Sequence, residues 1–442
     1  MLRGPEFYYT VLNFRWLTGE PRKILLVGLI LRESFSSWTG HPFDFELWVR
    51  LGFWVDHGLN PYKALPIVPG LSFANIFGPG GNSVIAYLPF WPFITAAMYL
   101  LYTVVGFGDR LVYYFLLKQP IIISDILVGY MIYRYVMKRS PSHASWAMKF
   151  WIFSPITIIL SAIWGMFDSV ALVFIMMALL LEDGKSRSLL AGMATFAKSL
   201  PVFFAAPLTL RKITRPWTFI ISLAIPALLT LSVLYVTGWG LTYSVPSLSS
   251  TFVKGGETMS PWDVLSFLLI FNLVPQPPSW FLSIAGSIWI PVTVGATLLC
   301  LRRFGFRTDY GIIISSIFIY SSFLVSRYSV NEQYSVYLIA FAAIDVAIWH
   351  PENKRLLILI SASVMGYLLA NNFLLVRFLA PVFPGWQMLE NQLSTMFGAQ
   401  RYAFKLIFAM LFGAFNIMYM KRILKYNPLG AKTEYQPDSA KG

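Results

Sequence analysis

Two carboxylates separated by one residue stand in the stretch His41-Pro42-Phe43-Asp44-Phe45-Glu46-Leu47-Trp48. A carboxylate can take the proton of an attacking hydroxyl, and two together could ligate one divalent ion. Glu46 lies two positions after Asp44, so on a helix it points away from it. Asp44 is therefore the expected actor and Glu46 its support. A plainer role is as open: Asp44 as N-cap of a helix, with Glu46 completing the first turn. A third acid, Asp168, sits in a short turn between the apolar runs 150–163 and 170–181. A carboxylate there is costly unless it is paired or wet. Its first expected role is to cap the helix that follows, which leaves an active-site role open.

Cations are the second ingredient. Arg327 precedes Tyr328-Ser329-Val330-Asn331-Glu332-Gln333 at the end of an apolar run. A guanidinium there could hold a phosphate through two parallel hydrogen bonds, or could simply snorkel. Lys198, within an apolar segment broken by Pro201, has the same two readings. Arg32 with Glu33 could form an intramembrane ion pair or serve as a third phosphate ligand. No metal-ligand spacing is present, and His41, His57, His143 and His350 are scattered. There is no phosphate-cradling glycine loop, dinucleotide fingerprint or nucleophile elbow, so no nucleotide cofactor is expected. Gly78-Pro79-Gly80-Gly81 reads as a turn.

The elements that must position these groups are membrane helices. Of 442 residues, 57% are apolar and only 12% charged, about half the usual charged share of a soluble protein. That excludes a soluble enzyme, a disordered chain, a coiled coil and a disulfide scaffold. The lone Cys300 lies in an apolar run and reads as a buried thiol. Candidate apolar segments are 21–39, 84–104, 111–137, 146–163, 167–182, 188–210, 217–237, 263–275, 280–301, 310–326, 334–350, 355–376 and 402–423. The expectation is an all-α polytopic integral membrane protein of about ten to thirteen transmembrane helices. Residues 1–426 form one domain, and 427–442 a disordered cytoplasmic tail.

The formal net charge of +14 does not indicate nucleic acid, because Lys and Arg cluster between the apolar runs, as cytoplasmic loops do. With both termini cytoplasmic, residues 40–83 form a first external loop. Parity then requires that 84–104, which carries Pro89 and Pro92, is re-entrant or interfacial. Segment 188–210 is basic at both ends and reads as two short helices meeting at a break near Lys198, or as one tilted helix. Segment 263–275 is short and interfacial. The stretch 45–55 is amphipathic and aromatic, and is expected to lie along the membrane surface. Residues 239–262, 326–333 and 377–401 gather at the same external face.

These features resemble the GT-C glycosyltransferases, above all the glycosylphosphatidylinositol mannosyltransferase I type and its prokaryotic relatives. HPFDFELW followed by GLNPY at 58–62 is similar to their acidic first-loop motif, which places His41 and Tyr62 beside Asp44 as further site candidates. Tyr87-Leu88-Pro89 resembles the Y-x-P that follows. FWIFSP at 150–155, WGMFDS at 164–169 and GMATFAKSLP at 192–201 resemble three more family motifs. Asn331-Glu332-Gln333-Tyr334 is a weaker likeness and adds Glu332. Met166 stands where the family has glutamine, and Glu46 where it often has a second aspartate. The resemblance covers roughly the first half of the chain. It implies a GT-C-like fold with interfacial helices in the first external loop, and Asp44 as the essential acid.

It also implies a reaction: transfer of a hexose, mannose by the family, from a polyprenyl (dolichyl) phosphate to a lipid-linked or glycan acceptor at the external or luminal face. A phosphate monoester has a second pKa of about 6 and leaves without a proton. Such an enzyme therefore needs a base for the acceptor hydroxyl and a cation for the phosphate. Two other classes compete. A transporter or lipid flippase suits many Pro-broken spans, but it tends to place ionisable groups at the midplane of paired repeats, and no repeat is visible. A non-catalytic subunit of the same fold would keep the spans without the chemistry. Sugar, acceptor and any divalent cation stay open at this point.

Overall fold

The computed structural model describes residues 19–75, 83–181, 183–210, 216–246, 258–275 and 277–426. The Gly78–Gly81 turn, the basic cluster at 211–215, Lys254 and the tail 427–442 lie outside the described residues. Among the described residues the fold is all helix, without a strand. The first loop of the bundle lies between α1 (Glu20–Ser36) and α4 (Arg110–Met137) and holds α2 (Asp44–Asp56), followed by α3 (Phe90–Val105). There follow α5 (Pro141–Ile152), α6 (Pro155–Trp164), α7 (Asp168–Leu180), α8 (Gly184–Ala197) and α9 (Val202–Thr209). The second half comprises α10 (Trp217–Val236), α11 (Asp263–Ile270), α12 (Trp280–Arg303), α13 (Asp309–Ser326), α14 (Ser335–Ile348), α15 (Lys354–Asn371) and α16 (Trp386–Lys425).

Among the described residues six helices are long and apolar enough to cross a membrane, and the pair α5–α6, bent by 44°, makes a seventh if it is one span. The chain is thus an all-α polytopic membrane protein. The span count falls below the ten to thirteen expected because several apolar segments form shorter helices. α3 and α7 have 16 and 13 residues and α14 has 14, short of the roughly 20 that a bilayer core asks for. The α5–α6 bend follows from Pro155, which has no N–H to continue the ladder. The carbonyls it frees are satisfied by side chains: Thr157 Oγ1 donates to Trp151 O at 2.8 Å and Arg32 Nη1 to Ile152 O at 2.9 Å.

Contacts sort the helix ends into two groups. At one end, Arg139 after α4 pairs with Asp309 at the start of α13, and Arg422 near the end of α16 donates to Asn353 before α15. Arg303 bonds the Leu424 carbonyl, and His350 stacks on Tyr426. This is the basic end. At the other, Gly40 N donates to Phe378 O, His41 N to Trp164 O, Asn60 Nδ2 to Trp239 O and Met259 N to Val330 O. This site end joins the first loop to 239, 259, 330 and 378.

Segment 184–209 is a hairpin of two helices rather than one tilted helix. Thr218, at the start of α10, donates to Thr209 O at 2.6 Å and lies beside Gly184, so both arms return to the basic end. Its tip is extended at Lys198 (φ −154°, ψ 144°). A second difference concerns α2. It does not lie open on a surface: residues Phe45 to Gly52 are all buried, because the loop after it folds back over it and α3 covers its other flank. Gly52 meets Thr95 so closely that a Cβ would stand 2.7 Å from the Thr95 carbonyl oxygen.

Candidate functional site

The site is built around one turn. α6 ends in a π-turn, Ile159–Trp164, a local widening often found at functional sites. Lys118 of α4, fully buried, donates to Ala162 O and Thr39 O, both at 2.6 Å, and so ties the π-turn to the end of α1. Gly165 follows with φ 89°. A side chain there would be strained and would strike the Phe45 ring at 2.6 Å, so the sharp turn demands glycine. Its carbonyl accepts from Trp48 Nε1 at 3.1 Å. The turn aims the Trp164 indole at Asp44, Nε1 to Oδ2 2.9 Å.

Asp44 is the first residue of α2, but it does not cap it; no side-chain cap is made there. Its carboxylate keeps 23% exposure. Burial raises its pKa above the ordinary carboxylate value; the Trp164 N–H and the Lys198 charge pull it back, and Asp168 pushes it up. His41 stacks on Trp164 with ring centroids 4.5 Å apart. Its Nδ1 accepts the backbone N–H of Phe43 and Asp44, each at 3.3 Å. An Nδ1 used as acceptor means a neutral ring, and burial with Arg377 nearby holds the His41 pKa well below its usual value. The 3.4 Å approach of His41 Nδ1 to Asp44 is thus no ion pair. His41 shapes the entry to α2.

Asp168 opens α7, and here too the expected capping role is overturned. The helix start has no side-chain cap, and Asp168 Oδ2 instead takes Lys198 Nζ at 2.6 Å, with both side chains almost wholly buried. The hairpin tip carries Lys198 to this place. Its ammonium also stands 4.8 Å from the Phe167 ring centre and 5.8 Å from that of Tyr87. Phe167 stacks on Trp91 at 4.3 Å and meets Trp48 edge-on, which fixes the turn against α2 and α3. Asp168 Oδ1 has no hydrogen-bond partner among the described residues.

Arg327 follows α13 in extended conformation, its guanidinium 5.3 Å from the Phe323 ring centre and 5.5 Å from that of Tyr334. The Tyr334 phenol lies within the fields of Arg327, Asp168 and Asp44 together. Glu332 accepts Asn371 Nδ2 at 2.7 Å and faces Asp44 and Arg377; burial raises its pKa. Arg377 is engaged by Glu390, Nε to Oε2 2.9 Å. Tyr62 positions its neighbours. Its hydroxyl donates to Tyr87 O at 2.8 Å, and its N–H bonds Asn60 Oδ1, so the N-P-Y turn positions Tyr87.

The structure therefore brings Asp44, Asp168, Lys198, Arg327 and Glu332 to one end of the bundle and leaves Glu46 and Arg32 out. Glu46 is fully buried, with Oε1 on Arg50 Nε at 2.7 Å and Oε2 on the Phe73 N–H at 2.9 Å. It clamps the loop onto α2 and is not placed to share an ion with Asp44. Arg32 pairs with Asp125 at 2.6 Å rather than with Glu33, and also donates to Gly28 O, Ile152 O and Thr157 Oγ1. It is spent inside the bundle, away from a donor phosphate. Trp164, Tyr87 and Tyr334 enter the sequence reading only as motif residues without a site role, and it passes over Asn371, Lys118 and Asp125. The last two carried a usable signal, as lone ionisable groups inside an apolar run.

No group of three or more His, Cys, Asp or Glu side chains able to hold a metal occurs among the described residues. What the site offers is a half-buried carboxylate with an indole donor and the Lys198 charge near it, and Arg327 against the Tyr334 ring. No protein-family model matches the chain and no curated protein matches it in sequence, so its chemistry is read from this arrangement itself.

Proposed function

We propose that the chain is a glycosyltransferase that moves a hexose from a polyprenyl-phosphate donor to a hydroxyl of a lipid-linked or glycan acceptor. The observation that carries the reading is the Asp44 carboxylate. It is partly exposed, held by Trp164 at 2.9 Å, and lies in the field of Lys198 at one end of a polytopic bundle. The acceptor oxygen attacks the anomeric carbon as the bond from that carbon to the phosphate oxygen breaks. The acceptor proton passes to Asp44, and the polyprenyl phosphate leaves with the bonding electrons. A single displacement inverts the anomeric centre. Lys198 and Arg327 meet the charge on the leaving phosphate, and the raised pKa of Asp44 makes it a better proton acceptor than an ordinary carboxylate. Mannose is the sugar that the GT-C resemblance implies. The site end is then the external or luminal face, and the basic end the cytoplasmic one.

The test is the purified full chain in lipid vesicles, given radiolabelled polyprenyl-phosphate mannose or glucose with extracted membrane lipids as acceptors. The expected product is a labelled glycolipid from one donor, absent with Asp44→Asn. Label that crosses sealed vesicles without covalent transfer would replace this reading with transport. A cysteine at position 60 that reacts only from the cytoplasmic side would reverse the orientation.

A further inference from the structure

The bend between α5 and α6 opens a cleft against α15 with a volume of about 370 Å³. Its walls rise in step, with Phe150, Phe153 and Ile156 on one side and Ile358, Ala362 and Met365 on the other. Phe153 and Ile358 are 39% and 48% exposed, so the cleft opens outward from the bundle. Both walls belong to helices apolar enough to span a membrane, and the medium outside them is hydrocarbon. A gap at that depth forfeits dispersion contacts unless a hydrocarbon chain fills it.

The mouth of the cleft lies toward the basic end and is charged. Lys149 lines it, and Lys354, the first residue of α15, stands 5.2 Å from the Trp146 ring centre. Lys149 pairs with Glu20 at 2.5 Å, but both side chains are about half exposed, a pair that contributes little and yields readily to a phosphate. Two lysines and a tryptophan where spanning helices meet water match an anionic headgroup in charge and in depth.

We propose that this cleft binds an anionic membrane lipid, with one hydrocarbon chain between α5–α6 and α15 and its phosphate on Lys149 and Lys354. The binding test does not depend on the reaction proposed above, because the charged mouth of the cleft lies at the end opposite Asp44. It also has a consequence for Asp44. The bent pair ends on Trp164, whose indole holds the Asp44 carboxylate, so the lipid that fills the bend steadies the angle at which Trp164 is presented.

The experiment is native mass spectrometry of the purified full chain, delipidated and then titrated with phosphatidylglycerol or phosphatidylcholine. The expected result is tight retention of phosphatidylglycerol and weak retention of phosphatidylcholine. Lys149→Gln with Lys354→Gln should weaken phosphatidylglycerol roughly 30-fold, from about one kcal/mol per lysine near an anionic headgroup. Ala362→Phe, which fills the cleft, should remove the retained lipid. Equal retention of the two lipids, or retention unchanged in the double lysine variant, overturns the proposal. So does displacement of phosphatidylglycerol by a polyprenyl phosphate whose binding ignores the lysines, which would make the cleft a seat for the donor's tail. If Ala362→Phe fails to fold, the double lysine variant decides alone.

Discussion

Two buried ion pairs, Arg32–Asp125 and Lys198–Asp168, border one small cavity, and they are held to different degrees. Arg32–Asp125 is held by many donors. The guanidinium spends its donors on Asp125, two carbonyls and Thr157, and the Asp125 oxygen that holds it also takes the Ser161 hydroxyl. Lys198–Asp168 is incomplete. The ammonium makes one hydrogen bond to the described protein, and Asp168 Oδ1 has no partner there. Burying a charge is costly, and a half-satisfied pair costs more than a finished one. The first pair is locked by several further hydrogen bonds, while the second has few, with the Tyr337 phenol the nearest additional group. A cavity of about 10 Å³, lined by Asp125, Ser161 and Asp168 together with Trp151, Leu160, Met166 and Val336, lies between the two.

The largest effect is expected beside the Lys198–Asp168 pair. Asp44→Asn keeps an acceptor for the Trp164 N–H but cannot take a proton, and should cut turnover by about 10²–10⁴-fold. The raised pKa of Asp44 means that its ionised form costs stability at neutral pH, a cost the neutral amide removes. The variant should therefore unfold at the same temperature as the parent or a higher one. Loss of folded protein would instead place Asp44 with the structural group.

At the Arg32–Asp125 pair the sign is opposite. Arg32→Ala leaves Asp125 buried and unpaired and should destabilise by about 3–5 kcal/mol, read as a lower thermal midpoint or lost yield in detergent. A well-folded Arg32→Ala protein with weakened donor binding would break the comparison and return Arg32 to the phosphate site.

Lys198→Met tests the Lys198–Asp168 pair directly. It should weaken donor binding about 10- to 100-fold, the range for a lost charge-assisted hydrogen bond. Adding Asp168→Leu should restore the folding stability without restoring donor binding, because a buried pair replaced by apolar groups is often neutral or better. If the double variant transfers sugar normally, the pair is structural after all.

The smallest and sharpest signal is the pH profile. A base whose pKa lies above the ordinary carboxylate value becomes active only as pH rises through that raised value. The acid limb of kcat/KM should therefore sit above the usual carboxylate range, and it should be lost in Asp44→Asn. Glu46, whose pKa burial also raises, contacts Arg50 and the Phe73 N–H rather than substrate and should not set this limb. Glu46→Gln that shifts this limb more than it lowers stability would reverse the roles of the two acids.

Part of this site was visible in the residue string. Asp44, Asp168 and Lys198 stood out because a charged residue beside or within a long apolar run has few inexpensive explanations. Glu46 and Arg32 stood out for the same reason and proved to be structural, since the string cannot say which buried charge has found its partner. Trp164 drew notice only as a motif letter, because its role depends on a π-turn and a positive-φ glycine that set its direction. The burial of α2 was equally hidden. Its alternation of apolar and charged residues is the same whether a loop folds over it or water does.

Composition and hydrophobic run length alone determined that this chain is an all-α polytopic membrane protein, because a bilayer core admits no other open backbone. They also raised a break within 188–210 as one of two readings, which the structure then resolved at Lys198. The tertiary structure decided which ionisable groups meet. Lys198 reaches Asp168 across 30 residues, Asp125 takes Arg32 across 93, and Trp164 reaches Asp44 across 120. Desolvation, not sequence neighbourhood, sets those partnerships: each buried charge is held by whichever opposite group the packed helices bring within hydrogen-bond reach.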